Sequence, residues 1–225
     1  QMRVLGFIPA RAGSKGLPGK NRRILGGMSL VERAFRVACE SGVCDRIVTS
    51  TDDLAVMELA RKIGLDVPFI RPAELSGDAT PMIDVLQHGV SSLERTGYRP
   101  DVVLLLQPTS PLRTAQHLRD ALALLEGHDS VCSVAEVPRT LSPHYVMKIE
   151  HGLLSSFLPA GRSVTRRQDA PPAYVREGTA YLVRRDVLMD QSSIYGSRCA
   201  PLLVESALSI DTECDWQEAE RLLAA

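Results

Sequence analysis

The sequence contains neither a long apolar run nor a strong excess of one charge. No stretch among its 225 residues approaches the roughly 18 apolar residues that a membrane-spanning helix needs. Its first residues also lack the layout of a signal peptide, and we therefore expect a cytoplasmic protein with no membrane partner. A formal net charge of −1 argues against a nucleic-acid partner, because binding a phosphate backbone requires a clear basic excess.

Spacings typical of metal sites are also missing. The five cysteines are scattered and never form C-x-x-C, which excludes a zinc knuckle and is typical of a reducing compartment. The five histidines show neither H-x-x-x-H nor H-E-x-x-H spacing, and we interpret them as surface or structural residues.

A glycine-rich basic loop follows the first apolar run. The run breaks at Pro9, and the segment beyond it contains the cations and glycines Arg11, Gly13, Lys15, Gly16, Gly19 and Lys20. Glycines let backbone N–H groups approach a ligand closely, and the cations can neutralise a polyanion. Neither the Walker spacing nor G-x-G-x-x-G fits the segment. It predicts a phosphate-binding loop of another type, with a flexible basic surface loop as the alternative.

Strands and helices alternate along most of the chain. Strands are predicted at 46–51, 67–70, 101–106, 130–137, 178–183 and 208–211. Helix starts are predicted at Ser29, after Asp53, at Thr80-Pro81, at Thr114 and at Thr212. This alternation predicts one α/β domain over residues 1–225, with a doubly wound, Rossmann-like, mostly parallel sheet. In such a sheet, ligands bind outside the carboxyl ends of the strands.

The alternation stops between residues 138 and 176. This Pro-containing stretch carries a basic cluster, Arg162, Arg166 and Arg167, and apolar residues with no covering helix of their own. A plain surface loop is the alternative, but so long a structureless loop is unusual in a compact domain. We interpret residues 138–176 as an arm inserted into the domain.

Three segments resemble one known family. IPARAGSKGLPGKN, at residues 8–21, is similar to the signature of the acylneuraminate cytidylyltransferases, which make CMP-activated sialic acids. RPAELSGDAT at 71–80 and LLQPTSPLR at 105–113 are similar to later motifs of that family. The resemblance implies a nucleotidyltransferase that joins CMP from CTP to a small acidic acceptor and releases pyrophosphate. It also implies a homodimer in which the 138–176 arm packs against the second subunit and contributes to acceptor binding.

The resemblance and the expected sheet geometry together assign site residues. The predicted nucleotide-binding residues are Arg11, Gly13, Ser14, Lys15, Lys20, Asn21, Arg71, Asp78 and Thr80. The predicted acceptor-binding residues are Gln107, Arg166, Arg167, Arg176 and Glu177. Because a polyphosphate on the loop would face a carboxylate at the edge of the sheet, Lys20, Arg11 and Asp211 are predicted to be catalytic. Asp211 is the predicted ligand for Mg²⁺ or another divalent cation.

Purely structural roles remain open for several of these residues. Arg166, Arg167 and Arg176 could form a solvated basic face. Arg71 could be an exposed turn residue, Gln107 could cap its own loop, and Asp211 could flank the cap of the last helix.

Two positions depart from the family pattern. Ser209 stands where the family has the first of two aspartates, which leaves Asp211 and substrate oxygens to bind the metal. Glu177 stands where the family has asparagine, and a charged side chain there would repel an anionic acceptor unless a cation intervened. The leading acceptor is a sialic-acid-like nonulosonate. The alternatives are a phosphonate such as phosphonoformate, in phosphonate antibiotic biosynthesis, and a catalytically silent nucleotide-binding regulator.

Overall fold

The computed structural model describes residues 2–13, 16–159, 166, 169–205 and 208–224. Its helices are α1 (Leu30–Ser41), α2 (Leu54–Ile63), α3 (Met82–Arg95), α4 (Ala115–Leu124), α5 (Arg185–Met189) and α6 (Glu213–Leu223). Its strands are β1 (Val4–Pro9), β2 (Ile24–Leu25), β3 (Met28–Ser29), β4 (Arg46–Ser50), β5 (Val102–Leu105), β6 (Ser130–Glu136), β7 (Met147–Glu150), β8 (Leu153–Ser156), β9 (Tyr174–Arg184) and β10 (Cys199–Leu203). Among the helices of this described part, none is both long and apolar enough to cross a membrane.

Six of the described strands form the main sheet, in the order β10-β6-β9-β5-β1-β4. β1 lies parallel to both β4 and β5, and β10 lies parallel to β6. β9 runs antiparallel between β5 and β6. The predicted Rossmann-like, mostly parallel sheet is confirmed.

The unbroken apolar run of β5 reflects helices on both faces of the sheet. Val102 and Leu104 point into a core that residues of α1, α2 and α4 complete. Val103 and Leu105 point into a second core with residues of α3 and α5. All four side chains are buried, as expected for a strand covered on both sides.

Four of the helices begin at the predicted residues. The Ser29 hydroxyl accepts a hydrogen bond from the Glu32 amide, and Asp53 accepts bonds from the amides of the first turn of α2. Thr114 and Thr212 each form a complete capping box. α3 differs from the prediction: Pro81 precedes it, and no side chain caps its first turn.

Two predicted strands are absent from the described residues. At 67–70 the chain only approaches β4, through a bridge between Val48 and Asp66. Pro68 has no N–H to donate, and Phe69 packs instead against the α3 side of the core. At 208–211 one backbone bond, from Ile210 N to Thr109 O (2.9 Å), replaces a ladder. The last strand is β10, further back in the chain.

The predicted arm at 138–176 contains an antiparallel hairpin of β7 and β8. Its last residues belong to β9, which begins at Tyr174 rather than at 178. The hairpin is an excursion between β6 and β9, and several of its apolar side chains are exposed. The sheet therefore continues on both sides of the insertion.

Gly89 is required where α3 crosses β1. A Cβ at this position would lie 2.2 Å from Cε2 of Phe7, a fully buried ring. We expect Gly89→Ala to lower the free energy of unfolding by about 1–3 kcal/mol, as overpacking of a core typically does. Chemical denaturation measures this change.

Ser91→Ala is a matched control, because it lies at a half-buried position of the same helix and adds no volume. It should change stability by less than about 0.5 kcal/mol. Equal stability of the Gly89 variant and the control would contradict the close packing of α3 on Phe7.

Candidate active site

A cleft of about 480 Å³ lies at the carboxyl ends of β1 and β5. It is lined by Pro9, Arg11, Gly16, Lys20, Asn21, Arg71, Asp78, Met82, Gln107, Pro108, Thr109 and Asp211. This edge of an open α/β sheet is where ligands are expected to bind. The structure thus brings the glycine loop, the 71–80 segment and the end of β5 together with Asp211.

Apolar packing holds the glycine loop against the segment before α6. Leu17 is buried in a cluster with Leu25, Leu30, Ile210 and Trp216. Gly16 lies so close to this segment that a Cβ would meet the carbonyl oxygen of Asp211 at 2.2 Å. Only glycine allows this backbone approach, which brings the loop directly onto residues 210–211.

The loop places Lys20 against Asp211. Gly19, with a φ of 69°, turns the chain into a short 3-10 helix that starts at Lys20. The Lys20 ammonium donates to the Ile210 carbonyl at 2.8 Å and to Asp211 Oδ1 at 2.9 Å. Lys20 is largely covered, whereas the Asp211 side chain is 70% exposed. A cation and an accessible carboxylate therefore share one wall of the cleft.

The capping box of α6 fixes the backbone of Asp211. The Asp215 carboxylate accepts hydrogen bonds from the Thr212 hydroxyl and from the amides of Asp211 and Thr212. These bonds, led by the one from the Thr212 hydroxyl, hold the pKa of Asp215 below its usual range. Asp211 does flank the cap, as the structural alternative held, but its own carboxylate is left to face Lys20.

A second ion pair joins the loop to the 71–80 segment. Arg11 Nη2 lies 2.6 Å from Asp78 Oδ1. The Asn21 side-chain amide donates to the Arg11 carbonyl at 3.2 Å, from a buried position. Two predicted nucleotide-binding segments are thus connected by direct side-chain contacts.

Arg71 lines the cleft from a buried position, with 4% of its surface exposed. Its guanidinium donates to the hydroxyl and the carbonyl of Ser50, at 3.0 and 2.7 Å. Burial lowers its pKa to about 10, while the nearby Asp52 opposes this change. The alternative of an exposed turn residue is therefore wrong.

Glu177 does not line the cleft that the described residues form. It is buried, and its carboxylate accepts hydrogen bonds from the amide and the hydroxyl of Thr179, at 2.7 and 3.0 Å. These hydrogen bonds hold the carboxylate so that it points into the protein interior. Because Glu177 is not part of the lining, the expected repulsion of an anionic acceptor does not follow from this structure.

Two predicted acceptor-binding arginines also lie outside this lining. Arg176 stacks on Tyr195, 5.1 Å from the ring centroid, and donates a hydrogen bond to its hydroxyl. Arg166 pairs with Asp169 at 2.8 Å. Gln107 does line the cleft, at the end of β5.

The remaining predicted residues fall into two groups. Gly13 and Thr80 are described but are not among the lining residues. Ser14, Lys15 and Arg167, together with Arg162 of the basic cluster, lie outside the described residues. Three further residues line the cleft without having been predicted as site residues: Met82, Pro108 and Thr109. They adjoin or belong to the segments 71–80 and 105–113.

The cleft offers a metal ion few protein ligands. Within the described ranges, no three histidine, cysteine, aspartate or glutamate side chains come together to hold an ion. Asp211 supplies one exposed carboxylate beside the glycine loop. That arrangement fits Mg²⁺, which takes one or two carboxylates and completes its shell with waters and substrate phosphate oxygens.

Comparison with known proteins identifies relatives over nearly the whole chain. A family model described as cytidylyltransferase matches residues 5–224. The CMP-N,N'-diacetyllegionaminic acid synthase of Legionella pneumophila is 33% identical, over 99% of this chain and 97% of that protein. The N-acylneuraminate cytidylyltransferase of Streptococcus agalactiae serotype V is 32% identical over 96% of this chain. The chain spans only 52% of the streptococcal protein.

Solved structures share the fold at lower sequence identity. A CMP:2-keto-3-deoxy-manno-octonic acid synthetase, solved with CTP, has a TM-score of 0.74 and 17% identity, over 99% of this chain and 98% of that one. The 4-diphosphocytidyl-2C-methyl-D-erythritol synthase of Anaerococcus prevotii has a TM-score of 0.68 and 14% identity, over 100% and 97%. Both likenesses support the Rossmann-like architecture.

The contact between Gly16 and Asp211 can be tested by a pair of glycine substitutions. In Gly16→Ala the new Cβ meets a backbone carbonyl, so the loop must move away from residues 210–211. We expect a loss of about 1–3 kcal/mol in the free energy of unfolding. Amides of residues 16–22 should also exchange hydrogen faster.

Gly13→Ala is the control within the same loop, since among the described residues its Cβ would approach Arg11 Nη1 alone, at an ordinary 3.6 Å. It should leave stability and exchange near the wild-type values. If the amides of residues 16–22 exchange as slowly in the Gly16 variant as in the wild type, the loop does not rest on Asp211.

Proposed function

The chain belongs to the cytidylyltransferase family, and from this premise we propose that it transfers CMP from CTP to an acidic sugar and releases pyrophosphate. The observation that carries the proposal is the cleft, where Lys20 and Arg11 of the glycine loop adjoin the exposed carboxylate of Asp211. A cationic loop beside a carboxylate is the arrangement that nucleotidyl transfer requires, because catalysis depends on positioning and on neutralising phosphate charge.

We place the triphosphate along the glycine loop. In the reaction, an acceptor hydroxyl oxygen attacks the α-phosphorus and gives up its proton to solvent. The bond between the α-phosphorus and the bridging oxygen breaks, and pyrophosphate leaves with the electron pair. Lys20 and Arg11 stabilise the charge that accumulates on the phosphate oxygens. Lys20 must exchange part of its contact with Asp211 for the phosphate, which frees a carboxylate oxygen at the same moment.

The acceptor we propose is a nonulosonate sugar acid. Two relatives that match nearly the whole chain carry such sugars in their names. One is a CMP-N,N'-diacetyllegionaminic acid synthase, and the other is an N-acylneuraminate cytidylyltransferase. The inward-turned carboxylate of Glu177 removes the main objection to a large anionic sugar at this site. Gln107 lines the cleft beyond the end of β5, which supports it as an acceptor-binding side chain.

Mass spectrometry of the products tests this function. The enzyme is incubated with CTP and Mg²⁺ and with a panel of nonulosonates and phosphonoformate; ATP, GTP and UTP replace CTP in parallel. We expect a CMP conjugate of a nonulosonate, formed from CTP in preference to the other nucleotides. If phosphonoformate is the acceptor that forms a conjugate and no nonulosonate does, the proposed acceptor is wrong. If CTP binds but no conjugate forms, the protein is a nucleotide-binding regulator instead of an enzyme.

Lys20 should affect turnover more than folding. Removing its ammonium eliminates a charge beside the reacting phosphate, and we expect Lys20→Ala to lower the rate at least about 100-fold, as loss of one oxyanion donor does. The melting temperature should change little, because a partly exposed ion pair adds little stability.

The control for this variant is Lys62→Ala, which removes an exposed lysine of α2 away from the cleft. It should keep the wild-type rate. A folded Lys20→Ala enzyme with full activity would remove Lys20 from the catalytic residues.

We also propose that Asp211 binds Mg²⁺ together with the phosphate oxygens of CTP. When bound, the ion supplies positive charge to the phosphates, and Asp211 holds it at the wall of the cleft. Because one carboxylate binds Mg²⁺ weakly, affinity should be poor in the free enzyme and should rise sharply with CTP. Ser209→Asp should raise it by restoring a second carboxylate.

Calorimetric titration of Mg²⁺ with and without CTP measures this coupling. Asp211→Asn should remove most of the CTP-dependent affinity and most activity, whereas Asp120→Asn on the surface of α4 should retain both. Equal Mg²⁺ affinity in wild type and Asp211→Asn would place the ion elsewhere.

The arm supports a further proposal, that the enzyme is a homodimer. Ile149, Leu153 and Leu154 of the β7–β8 hairpin are about 70% exposed, and Phe157 beyond it is 59% exposed. Several large apolar side chains exposed on one excursion of the chain are typical of a protein–protein interface. A second subunit would cover it by a symmetric contact.

Sedimentation equilibrium of the wild type should therefore give the mass of a dimer, and Leu153→Glu should shift it toward the monomer. Leu203→Glu, at an exposed position of β10, is the control and should leave the dimer intact. A monomeric wild type would disprove the arm as an interface.

We propose a cytoplasmic location on separate grounds. All five cysteines are free thiols in the structure. Unpaired cysteines are typical of proteins from a reducing compartment.

A further inference from the structure

Arg113 is a buried arginine in the turn that follows β5, and 5% of its surface is exposed. Its guanidinium donates to the carbonyl oxygens of Gln107 at 2.7 Å and Gly178 at 2.9 Å. It also donates to the carbonyl of Thr179. One planar side chain therefore satisfies three backbone acceptors from two different segments.

The two segments meet where the regular sheet ends. The pairing of β5 with β9 reaches Leu105 and Tyr181, and the register of β9 against β6 shifts between Cys132 and Val134. Beyond this point the carbonyls of Gln107 and Gly178 lie outside the ladder, and buried carbonyls require other donors. Arg113 provides them, and it thereby sets the separation between the end of β5 and β9.

Gly178 packs directly against the side chain of Gln107. A Cβ at residue 178 would lie 2.6 Å from Gln107 Oε1 and 2.4 Å from Ser110 Oγ. The Ser110 hydroxyl is buried and has no hydrogen-bond partner among the described residues. A small change in the separation of β5 and β9 would therefore displace the Gln107 amide at the wall of the cleft.

The charge of Arg113 is balanced locally. Burial lowers its pKa to about 10, and the buried carboxylate of Glu177 opposes this change. Arg113 therefore stays protonated at neutral pH. A lysine at this position has no planar fork of donors and could not bond all three carbonyls in the same geometry.

We propose that Arg113 is a positioning residue that holds Gln107 in place for the acceptor by clamping the end of β5 to β9. Arg113 does not line the cleft in the described structure, so it acts through Gln107 rather than on the substrate. The role in acceptor binding rests on the proposed function. The role in positioning Gln107 does not, and the two can be measured separately.

Nuclear magnetic resonance tests the positioning without any reaction. The side-chain amide signals of Gln107 are assigned by their loss in Gln107→Ala. In Arg113→Lys these signals should shift or broaden, whereas Arg119→Lys, an exposed substitution on α4, should leave them unchanged. Unchanged Gln107 signals in folded Arg113→Lys would overturn the proposal, whatever the enzyme does with substrates.

A double-mutant cycle tests the consequence for turnover. Arg113→Lys should lower kcat/KM for the acceptor about tenfold or more, since small misplacements of a positioning group are costly, with CTP affinity unchanged. The double variant should lose no more activity than Gln107→Ala alone, because both substitutions act on the same contact between Gln107 and the acceptor. Additive losses, or an equal loss of CTP affinity, would overturn the proposal.

A second variant covers the case in which Arg113→Lys does not fold. Gly178→Ala places a methyl group against Gln107 and Ser110 and should produce the same acceptor-selective loss and the same shift of the Gln107 signals. Wild-type Gln107 signals in this variant would contradict the packing argument. If the wild type forms no CMP conjugate at all, the proposed function fails, and the amide signals still decide whether Arg113 positions Gln107.

Discussion

The packing of Leu17 with Ile210 and Trp216 is the constraint on which the cleft depends. These side chains come from the glycine loop, from the segment before α6 and from α6 itself, and no strand pairing joins the three in the described structure. Apolar burial is not directional, so it does not by itself fix how the glycine loop is positioned along residues 210–211. A backbone contact must fix that position. Gly16 against the Asp211 carbonyl supplies it. Lys20 and Asp211 then become neighbours as a consequence of how the core packs.

Ion pairs across the cleft arrange its charges in advance. Lys20 pairs with Asp211, and Arg11 pairs with Asp78, so that cations of the loop are already oriented when a triphosphate arrives. Both pairs are partly exposed, and their exchange for phosphate contacts therefore costs little. By contrast, Arg71 and Arg113 are buried and bonded to the backbone, which suits side chains that shape the site without being displaced.

The sequence predicted the elements whose signals are local. Caps at Ser29, Asp53, Thr114 and Thr212 identified helix starts, and the apolar run of β5 identified a central strand, because each depends on neighbours within a few residues. The extended segments at 67–70 and 208–211 resembled strands but lacked a partner with free donors and acceptors, which only the tertiary structure determines. The direction of Glu177 was hidden although its partner is near in sequence. Its carboxylate accepts a hydrogen bond from the Thr179 amide where the pairing of β9 with β6 is interrupted, and that interruption is a feature of the tertiary structure. Burial of Arg113 depends on β9, more than sixty residues away in sequence.

The chemistry proposed for this cleft requires attack at the α-phosphorus of CTP. Phosphorus-31 magnetic resonance of CTP turnover with Mg²⁺ and a nonulosonate acceptor identifies the atom attacked, because each bond cleavage leaves different phosphorus signals. We predict pyrophosphate and a CMP diester in equal amounts, with no CDP. Formation of CDP, or of orthophosphate without a diester, would place the attack at another phosphorus and contradict the account.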